Sequence, residues 1–136
     1  MPENEDLEKK LDEALALLRS LRPPVRRIGV QVDKVQVLLK PEEIVYFTTE
    51  DRGLLVTTAD GGQYRNFMGL AEAERLLSDD VRFMRVHKSF LVNLEHVSQV
   101  IPVEGGRELA FEALPDVRIK VPQDRVKALE AYFGGL

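Results

Sequence analysis

The chain has 136 residues, 19 of them Lys or Arg and 23 Asp or Glu, giving a formal net charge of −4, with two histidines and no cysteine. One domain of this length buries enough surface to fold without disulfides or metal; the missing cysteines exclude thiol chemistry and Cys-ligated metal, and two histidines argue against a zinc site. The acidic balance argues against general nucleic-acid binding, and with no apolar run near the ~18 residues of a membrane span and no signal-peptide core, the expectation is a cytoplasmic chain.

Residues 1–22 read as one helix. Leu7, Leu11, Ala14, Leu18 and Leu21 are spaced 4-3-4-3, a heptad seam, and Leu15 and Leu17 broaden it. Asn4 suits the N-cap. Glu5, Asp6 and Glu8 crowd the first turns and Arg19 and Arg22 the last, both favourable to the helix dipole. Pro23-Pro24 then stops the helix. The seam suits pairing in a homodimer. Two heptads are fewer than the ~3 that define a coiled coil, so packing of the helix onto its own domain stands as the alternative.

Beyond the prolines the period changes to 2. Residues 23–34 read as a linker and first strand, in which Ile28, Val30 and Val32 alternate with polar residues or glycine. Further strands are expected at Val35–Leu39, Ile44–Thr49, Leu54–Thr58, Gln63–Phe67, Arg82–His87, Val97–Val103, Glu108–Phe111 and Val117–Val121. Turn signals separate many of them: Lys40-Pro41, Arg52-Gly53, Asp60-Gly61-Gly62, Gly105-Gly106 and Pro115-Asp116. Such tight connections imply antiparallel pairing. One helix is expected at Gly69–Leu77, with Leu70, Ala73, Leu76 and Leu77 on one face. Another, at about Gln123–Phe133, presents Val126, Leu129 and Phe133. The fold class is mostly β with short helices, preceded by an N-terminal α-helix.

The stretch Phe83-Met-Arg-Val-His-Lys-Ser-Phe-Leu-Val-Asn-Leu94 is the most informative. No acid lies between Asp80 and Glu95, so Arg82 to Lys88 is the best candidate for a local cationic patch. Period 2 puts Arg85 and His87 on one face and Val86 on the other. Arg85 and His87 can contact phosphate; a solvated strand face and a structural histidine are the plainer alternatives. Ser89 and Asn93 read as turn residues. His87 and Ser89 lie two apart, with no nucleophile elbow or oxyanion glycine, so no enzyme is expected.

The pattern Phe-x-Arg-x-His-x-Ser-x-x-Val-Asn resembles the central signature of the LytTR domain, the DNA-binding module of LytR/AgrA-type bacterial response regulators. Ile44-Val-Tyr-Phe, Thr57-Thr-Ala-Asp-Gly, Gly69 to Leu77 and Asn93-Leu-Glu-His-Val resemble its flanking segments. The resemblance covers about Val35 to Phe133, within a domain taken as 35–136. It implies an elongated arrangement of small antiparallel sheets. It also implies that Lys88, just after the signature histidine, reaches DNA bases, and that Arg52 enters DNA from the loop after the early strand. The family's Ile-Pro-Val-Ser-Arg-Arg segment corresponds to Ile119-Lys-Val-Pro-Gln-Asp-Arg-Val. Gln123 and Asp124 therefore stand where arginines are expected, with Arg125 displaced by one and Lys120 and Lys127 nearby to compensate. About thirty residues precede the module, too few for the receiver domain usual in these regulators.

The expectation is a bacterial transcription regulator binding duplex DNA as a homodimer, with no cofactor, metal, small-molecule ligand or membrane partner. The alternative is a degenerate LytTR-like interaction module that does not read DNA.

Overall fold

The change of period after the prolines is a change of architecture. The computed structural model describes residues 2–20 and 27–136, and in the first helix the side chains of residues 6–15 and 17. Helix α1 spans Pro2–Ser20. Leu7, Leu11, Ala14 and Leu15 on it are exposed. The side chains of Asn4, Leu18 and Arg19, with Leu21, Arg22 and Pro23-Pro24, lie outside the described residues.

Seven strands follow in one antiparallel sheet: β1 (Ile28–Val32), β2 (Val35–Leu39), β3 (Ile44–Glu50), β4 (Gly53–Thr58), β5 (Gln63–Asn66), β6 (Phe83–His87) and β7 (Phe90–Asn93). Their order is β2-β1-β5-β4-β3-β7-β6. A second sheet holds β8 (Val97–Val103), β9 (Gly106–Phe111) and β10 (Arg118–Pro122) in the order β10-β9-β8. Helix α2 is Leu70–Leu76, and α3 is Val126–Tyr132 after a 3-10 turn at Gln123–Arg125. The mostly-β, antiparallel expectation holds, with one sheet larger than expected. β1 pairs with both β2 and β5, so the strand expected in a linker segment belongs to the sheet.

The large sheet is covered on both faces. On one, Phe47, Leu54, Val56 and Leu91 pack with Leu70, Ala73 and Leu77 of the α2 segment. Those three recur at i, i+3 and i+7; Leu76 falls off that stripe and is exposed. On the other, Val45, Tyr46, Val86 and Val92 pack with Leu109, Phe111, Ile119 and Val121 of the small sheet and Val126 and Leu129 of α3. A bulge between Ile44 and Tyr46 divides β3 between the two cores. Its extra residue lets Val45 and Tyr46 both join the second core while Ile44 and Phe47 serve the first.

Asn93 links β7 to β3. It is fully buried, donates to the carbonyls of Pro41 (3.3 Å) and Ile44 (3.0 Å), and accepts from the Glu95 amide (3.1 Å). In the small sheet Gly106 has no substitute. A Cβ there would lie 2.0 Å from the Val121 carbonyl oxygen, closer than any packing allows.

Candidate nucleic-acid interface

The signature segment is a hairpin. β6 and β7 are joined by the two-residue turn Lys88-Ser89, because His87 pairs with Phe90. A bulge interrupts the register between Arg85 and His87: Arg85 pairs with Leu91 and His87 with Phe90. Directly opposed residues share a face. Leu91 belongs to the first core and Phe90 packs against the second. Arg85 and His87 therefore face opposite sides, not the same side as simple alternation predicts.

Each has an internal task. The Arg85 guanidinium donates to the carbonyls of His87 (3.2 Å) and Lys88 (2.6 Å) and meets Glu74 of α2 at 3.3 Å. The His87 Nδ1 accepts the Ser89 amide at 3.1 Å, and its ring meets Phe90 edge-on with centroids 5.8 Å apart. Both side chains shape the turn. Lys88 is exposed at its tip and makes no ion pair among the described residues.

A second turn lies alongside. β3 is the neighbour of β7, and the Ser89 carbonyl accepts from the Thr48 hydroxyl (2.9 Å) and the Thr49 amide (3.3 Å). That places the β3–β4 turn, Asp51-Arg52, at the same end of the sheet. Arg52 is exposed, likewise without an ion pair among the described residues, and has φ +63°. A non-glycine residue in that left-handed region is strained. Gly53 follows because a Cβ there would lie 2.4 Å from the Asn66 carbonyl oxygen. Glu50 is occupied by Arg65 at 3.4 Å, whereas Asp51 is exposed and unpaired among the described residues.

Arg82 does not belong to the cationic patch expected of Arg82 to Lys88. It binds Asp80 at 2.6 Å and Glu42 at 3.3 Å, at the opposite end of β6 from the turn. The side-chain hydrogen bond from Arg82 holds the Asp80 carboxyl below the usual carboxylate range, against the opposing effect of burial. The same bond raises the guanidinium above its ordinary value. At that end α3 is also tied down: the Tyr132 hydroxyl donates to Glu95 at 2.8 Å, and its pKa is pushed up to about 12 by burial and by this bond. The partner Asp80, two residues before Arg82, is visible in the sequence. Glu42, forty residues earlier, is not.

The C-terminal candidates form a separate group. β10 packs beside β6. A Cβ on Gly105 would lie 3.4 Å from the Lys120 Nζ, and the Gln123 amide donates to the Gly105 carbonyl at 2.9 Å. Lys120 and Gln123 thus meet at the β8–β9 turn. Arg125 and Lys127 follow at the start of α3. All four are exposed, as is Asp124. No hydrogen bond or ion pair among the described residues joins this group to the Arg52–Lys88 end.

Residues 34–134 match the model of the LytTr DNA-binding domain family. The Sensory transduction protein LytT of Oceanobacillus iheyensis is 25% identical over 121 residues, 88% of this chain and 49% of that protein. The chain thus spans about half the length of that relative. A LytTr DNA-binding domain from Bacillus cereus matches in structure with a TM-score of 0.70 at 21% identity, over 81% of this chain and 98% of that one.

Proposed function

The chain belongs to the LytTr DNA-binding domain family, and on that premise we propose that it is a transcription regulator binding duplex DNA through the sheet end that carries Arg52 and Lys88. The observation that carries this reading is the pair of adjoining two-residue turns. Each is held by hydrogen bonds and each presents an exposed cation with no internal acid among the described residues. Turns fixed in this way add no backbone ordering cost when their cations bind phosphate, and Lys and Arg also bind guanine edges. Lys88 and Arg52 are the contacts. Arg85 and His87 are positioning residues that hold the turn. Lys120, Arg125 and Lys127 add phosphate contacts from the C-terminal group, where Gln123 can read adenine.

A second reading, an interaction module that does not read DNA, is favoured by Asp51 and Asp124. Both are exposed beside the proposed contacts and repel phosphate.

The regulator acts as a homodimer through α1. Leu7 is 64% and Leu11 56% exposed, and the heptad spacing makes this face complementary to a second copy of itself.

Fluorescence anisotropy with a mixed-sequence duplex tests the DNA reading. Wild type should bind at low salt, and Arg52→Ala with Lys88→Ala should lower the slope of log affinity against log salt by about 2. No duplex binding by wild type at low salt sinks the proposal in favour of the second reading.

A further inference from the structure

One apolar side chain at this same end of the sheet serves neither core. β5 is antiparallel to β4 and ends with Asn66 opposite Leu54, so the chain leaves β5 at the end where the Asp51-Arg52 turn lies. A Cβ on Gly53 would lie 3.2 Å from the Phe67 Cα. Phe67 is therefore the immediate neighbour of the cationic turn. It is 70% exposed, and no ring contact among the described residues engages it.

A lone exposed apolar residue carries no meaning by itself. Here the surrounding backbone gives it one. Asn66 accepts the Met68 amide on Oδ1 at 2.7 Å and donates through Nδ2 to the Gly29 carbonyl on β1. Met68 packs against the first core, and Leu70 is buried in it. The chain is thus pinned on both sides of residue 67, and the fold holds the ring out into solvent. The strand spacing of about 4.8 Å puts the β5 end about 7 Å from the middle of the β3–β4 turn. With the sheet end lying across the groove and the cation on a rim phosphate, a ring ~7 Å along from it falls within a major groove ~12 Å wide. The ring has no donor or acceptor. The apolar group a base pair shows in the major groove is the thymine 5-methyl.

We infer that Phe67 is a specificity-determining residue that reads thymine in duplex DNA through its 5-methyl group. This rests on the proposed DNA-binding end. It adds a base contact where the two cations alone supply mainly charge.

The test begins with selection from a randomised 30-base-pair pool by full-length wild type and Phe67→Ala. The variant should keep the wild-type melting temperature, because the ring is mostly exposed. Wild type should enrich a thymine at one position of each half-site, and Phe67→Ala should lose that preference while keeping the others and the salt slope. In the selected duplex, deoxyuridine at that position should weaken wild type about fourfold, the factor for one buried methyl group, and leave Phe67→Ala unchanged. The chain has no tryptophan. Phe67→Trp should therefore give a fluorescence change on adding this duplex, whereas Val81→Trp, exposed at the opposite end of β6, should not. Equal selection by wild type and Phe67→Ala, or indifference of wild type to deoxyuridine, overturns the inference and leaves the DNA-binding reading intact. If wild type retains duplex but enriches no thymine, this inference alone fails; if it retains no duplex even at low salt, the DNA-binding reading fails and this inference with it.

Discussion

Replacing Arg85 by alanine separates a residue that holds the signature turn from one that touches DNA. The guanidinium makes two bonds to turn carbonyls, at 3.2 and 2.6 Å, and one ion pair to Glu74 at 3.3 Å. Lys88 is exposed and His87 half-buried, so water replaces part of what is lost. Each carbonyl bond is then worth about 0.5–1.5 kcal/mol, and the half-exposed Glu74 pair about 0–1 kcal/mol. The sum, about 1–4 kcal/mol, corresponds to a fall in Tm of roughly 4–16 °C for a domain of this size. Arg85→Lys should recover only a part, because one ammonium cannot reproduce a planar fork spanning two carbonyls. Lys88→Ala supplies the contrast. Its side chain has no internal partner among the described residues, so stability should change by less than ~0.5 kcal/mol. Its salt slope on duplex DNA should nonetheless fall by about one unit. Arg85→Ala should weaken binding with the slope unchanged, since it loosens the turn and removes no phosphate contact. Calorimetry and anisotropy titrations at several salt concentrations read both quantities. If Arg85→Ala melts like wild type and loses a unit of slope, Arg85 is a phosphate contact and the turn needs no clamp.

Asp80→Asn should destabilise by about 1.5–3 kcal/mol, the worth of charged hydrogen bonds, because the amide loses the oxygen that accepts the Arg82 Nη2 and leaves Glu42 as the only ion partner of Arg82 among the described residues. The Asp80 carboxyl is depressed below its ordinary 3.8, so its contribution is present above that value and lost as pH falls through the lower folded-state value. The gap between wild type and variant in urea melts should hold from neutral pH down to about 5 and narrow below about 4; a gap that widens with acid contradicts the assignment. Gly106→Ala, which would set a Cβ 2.0 Å from the Val121 oxygen, should cost at least ~3 kcal/mol; a variant melting like wild type would show that β9 and β10 can move apart. Leu11→Glu should turn dimers into monomers in sedimentation while leaving the packing within each chain intact, since Leu11 is 56% exposed in the single chain. Wild type already monomeric at high micromolar concentration removes the dimer.

Local chemistry made much of this protein legible in one dimension. Period-2 runs between Gly, Pro and Asp turns mark most strands, and Val126 and Leu129 mark the last helix, because burial of one face writes its period into the residues. The spacing of Phe83, Arg85, His87, Ser89 and Asn93 was enough to suggest the family. β7 was not legible as a strand: Phe90-Leu-Val-Asn has neighbours on both faces, so its apolar residues do not alternate. Only tertiary structure decided which cations remain available. Arg82, Arg85 and Lys88 look alike within seven residues. The fold brings Glu42, Glu74 and two turn carbonyls to the first two and leaves Lys88 exposed. The bulge that sends Arg85 and His87 to opposite faces is likewise invisible to a periodicity, because it arises from the register β6 keeps with β7. Charge and period are properties of a residue and its chain neighbours. Partnership depends on residues that meet across strands, and the folded register settles it.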